Sequence, residues 1–163
     1  MTDFAYSSRI LSEELDVLRE YTAAAPVKVG ALAEALGLRV VLATLPMNIS
    51  GLIKPDGDTF VIKVNRFESK ERQRFTIAHE IAHYLIHKSY ISTGVVDSVL
   101  YRSKLSSRLE AEANKLAADI IMPSDLVSNE VNKIRQYDHE QIVDSLAKVF
   151  SVSGQAMEIR LGG

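Results

Sequence analysis

Between Phe75 and His87 the chain reads Phe-Thr-Ile-Ala-His-Glu-Ile-Ala-His-Tyr-Leu-Ile-His, and this stretch constrains the fold more than any other. An α-helix brings residues four apart onto one stripe, so His79 and His83 can aim their imidazoles at one ion. Glu80 is turned about 100° to their side. Phe75, Ala78, Ile81, Ala82, Leu85 and Ile86 form a broad apolar arc beside the stripe of Thr76, His79, His83 and His87. Such a helix buries its arc and presents its histidines to a cleft. Two neutral imidazoles suit Zn2+, and a carboxylate next to them can take a proton from water that the ion has made acidic.

The rest of the chain must then build a scaffold for that helix. At 163 residues, 47% of them hydrophobic and 25% charged, it suits one soluble domain that buries a core without disulfides. With no cysteine, a thiolate site and a cysteine nucleophile are excluded, and nitrogen and oxygen ligands remain. A net charge of -2 gives no general attraction to nucleic acid or to anionic membranes. No apolar run approaches the roughly 18 to 20 residues of a membrane span, and the start lacks a signal-peptide pattern, so a cytoplasmic protein is expected.

Hydrophobic periodicity predicts an amphipathic helix over residues 8–21 and a short one over 27–37, opened by Pro26 and stopped by Gly37. The second of these resembles half of a helix-turn-helix, but residues 39–45 continue as a β-branched apolar strand. Further strands are expected over 48–53 and 58–64, with the turn signal Lys54-Pro55-Asp56-Gly57 between them, giving a small, largely antiparallel sheet. The histidine helix should run over 70–88, and residues 89–105 read as a loop with one short strand. A strong helix follows over 106–121, ended by Met122-Pro123. Ser124 is placed to cap the next helix, and two more are expected over 139–150 and 153–161.

A catalytic zinc site usually has three protein ligands, and His87, Glu110, Glu112 and His139 are the candidates for the third. His87 lies roughly 12 Å along a straight helix from His79, too far to share its ion, and suits a supporting or packing role. Glu110 and Glu112 are separated by about 200° of helix rotation, so at most one faces the site. Leu109, Ala113, Leu116, Ala117 and Ile120 mark the buried arc. Glu110 borders that arc, whereas Glu112 falls with Lys115 and Asp119 on the far, solvated side, so Glu110 is the expected ligand. Asn114, one turn on, can fix the tautomer of a ligating histidine.

The run from Phe75 to Tyr84, followed by Glu110-Ala111-Glu112-Ala113-Asn114 and Ile121-Met122-Pro123, resembles the ImmA/IrrE family of bacterial zinc peptidases. The resemblance extends from Pro26 through Pro123, includes Ile49-Ser50-Gly51, and continues faintly in Val152-Ser153 and Arg160-Leu161. It implies a glutamate-type zincin with the ligands His79, His83 and Glu110, Glu80 as general base and Zn2+ as cofactor. It further implies cleavage of a helix-turn-helix repressor of the xenobiotic-response-element type, switching on stress-response or mobile-element genes. The expected fold is α+β and zincin-like: a small sheet packed on the histidine helix and the glutamate-bearing helix, with additional helices at both ends. One domain over 1–163 is expected, with N-terminal helices over 1–37, a zincin core over 38–123 and C-terminal helices over 124–163. The tail is where the resemblance is weakest, and no added sensor domain is visible.

Three questions stay open in the sequence. The edge of the 58–64 strand can align an extended substrate or can be a plain core element. The oxyanion stabiliser could be Tyr84, Tyr90, Tyr101, Tyr137 or His139. Other classes of function also compete. Residues 142–161 have helix-turn-helix spacing but only Lys148 and Arg160 as bases in that region, which argues against direct DNA binding. A non-hydrolytic, zinc-stabilised module that sequesters a repressor is the alternative to a protease, and Glu80 weighs against it, because a structural site needs no general base.

Overall fold

The computed structural model describes residues 2–92 and 104–162. A short 3-10 turn, Ser7–Arg9, leads into α1 (Ser12–Tyr21) and α2 (Val29–Ala35), after which Gly37 takes a positive φ of 83° and turns the chain into the sheet. Strands β1 (Arg39–Ala43), β2 (Gly51–Asp56) and β3 (Thr59–Asn65) precede the histidine helix α3 (Lys70–Ile86). Five helices follow: α4 (Lys88–Ser92), α5 (Lys104–Ile121), α6 (Ser124–Lys133), α7 (His139–Phe150) and α8 (Gly154–Arg160). The fold is α+β, with one small three-stranded sheet against helices.

The strand order is β1-β3-β2. The antiparallel expectation holds for β2 and β3, which pair from Gly51 with Val64 to Asp56 with Thr59. Strand β1 joins β3 in parallel, Arg39 opposite Val61 and Ala43 opposite Asn65, so the sheet is mixed. β3 is therefore the central strand, and its backbone is used on both sides. Among the described residues the edges that could accept an extended segment belong to β1 and β2, not to the 58–64 strand. Its burial explains the placement: Val61, Ile62 and Val64 are all buried, as a strand covered on both faces requires.

One hydrophobic core runs from Phe4 and Ile10 through Ile62, Ile81, Leu85, Leu116 and Ile120 to Phe150 and Met157. The α3–α5 packing lies at its centre, with Ile81, Ala82, Ala113, Leu116 and Ala117 fully buried. Strand β2 approaches α3 very closely at Gly51, where a Cβ would lie 2.5 Å from Thr76 Cγ2 and 2.7 Å from the Lys63 carbonyl oxygen. Any larger residue would push the edge strand away from the histidine helix.

The sequence expectations need three adjustments. Helix α3 ends at Ile86, and residues 88–92 form α4; the rest of the loop expected over 89–105 lies outside the described residues, apart from the start of α5 at Lys104. Pro55 and Asp56 belong to β2, so the turn sits two residues later, at Gly57-Asp58 between the paired Asp56 and Thr59, with Gly57 at φ 62°. Ser124 is the first helical residue of α6 and makes no capping hydrogen bond; Pro123 occupies the cap position.

Candidate metal centre

Helices α3 and α5 pack so that His79 meets Asn114 and His83 meets Glu110, an antiparallel pairing that aligns two local stripes. Ser69 caps α3 by accepting a hydrogen bond from the Arg72 backbone, which fixes where the helix starts and hence the phase of its histidines. The Glu110 carboxylate lies between two imidazoles, Oε1 at 2.8 Å from His83 Nε2 and Oε2 at 3.1 Å from His79 Nε2. Donor atoms of His79, His83 and Glu110 all lie within 4.8 Å of one another and could hold one metal ion. Two imidazole nitrogens and a carboxylate oxygen suit a divalent transition ion, and three donors beside an open cleft leave a position for water or substrate.

The other nitrogen of each ring is also engaged. His79 Nδ1 is 2.8 Å from Asn114 Oδ1, and His83 Nδ1 is 2.9 Å from His87 Nδ1. His87, at the C-cap of α3, reaches in turn to Glu112 Oε1 at 2.8 Å. Glu112 is not on a solvated face. The N-terminal segment covers that side of α5, with Arg9 bonding both Glu112 oxygens at 3.2 Å and the Ala5 amide donating to Asp119. Asp119 is buried as well and pairs with Arg160. Helix periodicity placed these two residues opposite the main core, but could not show that another part of the chain covers them.

Burial pushes the His83 pKa down to about 4, outweighing the nearby carboxylate, so this ring is neutral and has a lone pair to offer. Burial also disfavours charge on His79, yet hydrogen bonding to Glu110 and the charges of Glu80 and Glu110 win, and its pKa is raised. For Glu110 burial alone would raise the pKa, but its hydrogen bonds to His79 and His83 hold it well below the usual carboxylate range.

His79, Glu80, Glu110 and Asn114 line a cleft of about 1130 Å³. Ser50 and Gly51 at the start of β2, Arg72 on α3, and Ser153, Ala156 and Ile159 at the C-terminal end form its other walls. Helix α8, part of the region with helix-turn-helix spacing, is thus a wall of the cleft. Among the oxyanion candidates, Tyr84 packs on Phe60 and Lys88, Tyr90 lies edge-on to His87, and exposed His139 pairs with Glu158. Tyr137 is exposed, none of these four lines the cleft, and Tyr101 lies outside the described residues. The cleft instead offers Arg72, Lys115 and Arg160. The importance of Arg9 was not visible in the sequence, because nothing local links residue 9 to residue 112.

The sequence model of the Peptidase M78 family, described as the IrrE N-terminal-like domain, matches residues 33–162. Metallopeptidase ImmA of Bacillus subtilis (strain 168) is 30% identical over 95 residues, covering 57% of this chain and 53% of that protein. A solved structure described as a Mycobacterium tuberculosis transcriptional regulator shares the fold with a TM-score of 0.61 at 20% identity, covering 93% of this chain and 47% of that one. The chain thus spans about half the length of these two relatives. With most of its sequence matched by the family and a His-His-Glu cluster on its two central helices, the chain belongs to the ImmA/IrrE metallopeptidases, the IrrE N-terminal-like domain family.

Proposed function

We propose that the chain is a zinc-dependent endopeptidase, a single zincin-like domain in which His79, His83 and Glu110 hold Zn2+ and Glu80 is the general base. The observation that carries this reading is the convergence of three metal donors at an open cleft that Glu80 also lines. When bound, zinc supplies Lewis acidity, making water acidic near neutral pH and polarising the carbonyl to be cut. Asn114 holds the His79 ring, and Glu80 takes the proton of the attacking water onto its carboxylate and delivers it to the leaving nitrogen. The edge strand β2 aligns the substrate backbone by strand pairing, with Ser50 and Gly51 next to the site.

The substrate we propose is a helix-turn-helix repressor of the xenobiotic-response-element type, which the resemblance to ImmA/IrrE peptidases implies. Its cleavage would switch on stress-response or mobile-element genes. The reading places the protein in the cytoplasm with such a repressor, and no described helix is long and apolar enough to cross a membrane. Glu80→Gln tests it, since glutamine keeps the size of the side chain but cannot accept the proton. Incubated with zinc and the repressor encoded nearest its own gene, the wild type is expected to produce fragments. Glu80→Gln should cut about 100-fold to 10,000-fold more slowly while binding zinc and repressor as before. DNA release by Glu80→Gln equal to wild type, with no fragment formed, would make sequestration the mechanism and end the protease reading.

A further inference from the structure

We infer that Glu112 and His87 are positioning residues that fix the ring orientation and tautomer of His83, and that Arg9 of the N-terminal segment holds Glu112 in place. The inference rests on the proposed zinc site. His79 and His83 both present Nε2 to Glu110, so Nε2 is the nitrogen each would give to a metal, and Nδ1 must then carry the proton. His79 Nδ1–H donates to Asn114 Oδ1. Among the described residues the partner of His83 Nδ1–H is His87 Nδ1 at 2.9 Å, and the bond can form only if that atom is unprotonated. The His87 proton is therefore on Nε2, where it donates to Glu112 Oε1 at 2.8 Å.

Once Nε2 of His83 is given to a metal, the chain of donors has a single consistent direction, from His83 to His87 to Glu112, and it ends on a carboxylate that can only accept. Glu112 is itself fixed by the two-pronged Arg9 guanidinium. Arg9 also donates to the Ile86 carbonyl at the end of α3 and lies over the Tyr6 ring, so it ties both helices to the N-terminal segment. The His83 and His87 side chains are essentially inaccessible, and water is therefore a poor substitute for either partner. The structure thus supports each ligating imidazole differently: His79 through an asparagine on the same helix as Glu110, His83 through a three-residue relay to the first turn of the chain.

The test measures zinc affinity by chelator competition at one fixed pH, and histidine tautomers by nitrogen NMR of the zinc-loaded protein. Wild type, Glu112→Ala and Glu112→Gln are compared, with melting of the ion-free proteins as the check on folding. Loss of outer partners of metal-binding histidines typically weakens binding about 10-fold to 100-fold, and that loss is expected for Glu112→Ala. In wild type His83 should carry its proton on Nδ1 and His87 on Nε2; in Glu112→Ala the His87 signal should no longer report a single tautomer. Glu112→Gln keeps an oxygen that accepts from His87 and should recover most of the affinity. Zinc affinity within twofold of wild type and an unchanged His87 tautomer in Glu112→Ala would overturn the relay, as would an affinity loss that merely follows unfolding equally in both variants. A wild type that binds no zinc overturns the proposed function itself, a distinct result.

Discussion

Helix α3 buries Thr76, Glu80 and His83 along with Ala78, Ile81, Ala82 and Leu85, whereas α7 confines its buried residues Val143, Leu146, Ala147 and Phe150 to one stripe. Both are capped at their starts, α3 by Ser69 alone and α7 more fully. Helix α7 starts with a full capping box, Asp138 accepting from the Gln141 amide and Gln141 from the Asp138 amide, and α8 is capped by Ser153. Local sequence is thus sufficient to define the α7–α8 pair. Helix α3 is defined by what surrounds it: β2 at Gly51, α5 along its length, and Arg74 reaching the Phe150 and Ser151 carbonyls at the end of α7. The contrast shows where the molecule concentrates its costs. Buried Thr22 is satisfied within its own segment by the Leu18 carbonyl, whereas buried His83, His87 and Asp119 draw partners from distant segments, two of the three at the candidate metal centre.

Substitutions in the two regions should separate accordingly. The largest effect belongs to Glu110→Ala, which is expected to reduce zinc content from one ion per chain to a trace. Zinc at 100 times its dissociation constant should stabilise the wild type by about 2.7 kcal/mol, and calorimetry should find that gain absent from Glu110→Ala. If zinc still raises the melting temperature of that variant as much as of wild type, the ligand assignment is wrong. Next comes Ile81→Ala, a cavity under the histidine helix, which should cost about 2–5 kcal/mol in denaturant unfolding. A cost below about 1 kcal/mol would mean that α3 is not the tertiary keystone described above.

The helices at the far end should respond more mildly. Asp138→Ala removes the capping box of α7 and should cost about 1 kcal/mol, with zinc affinity unchanged. An equal loss of zinc affinity would show the two regions to be coupled. The smallest effect on stability is expected for Ile159→Ser, since this side chain on α8 is 72% exposed. Its unfolding free energy should stay within about 0.5 kcal/mol of wild type, while KM for a cleaved peptide rises if the α8 wall holds substrate. An unchanged KM would remove α8 from the substrate path.

Much of this was legible in the chain. The spacing of His79 and His83 placed two imidazoles on one stripe, and the phase of α5 put Leu109, Ala113, Leu116, Ala117 and Ile120 in the core, where all five are buried. The same phase selected Glu110, which the structure brings between the two histidines. The bounds of α7 follow from its own cap and stripe. Legibility failed wherever a residue's surroundings come from far along the chain. Glu112 and Asp119 looked solvated because their own helix says only that they face away from α3. The pairing of β1 with β3 rather than β2 also depends on a connection that no local pattern records.

Helical period alone placed His79 and His83 on one stripe and Glu110 beside the apolar arc of its own helix, because it fixes which side chains share a face whatever packs against them. What covers each face follows from packing between distant segments: among the described residues β1 and β2 are the edges of the sheet and β3 its centre, α8 walls the cleft, and Arg9 closes over Glu112. The physical reason is the range of the forces involved. Helix phase is set by hydrogen bonds four residues apart. Burial and polar pairing are set between segments whose separation, here 103 residues from Arg9 to Glu112 and 114 from Ala5 to Asp119, leaves no periodic trace in the chain.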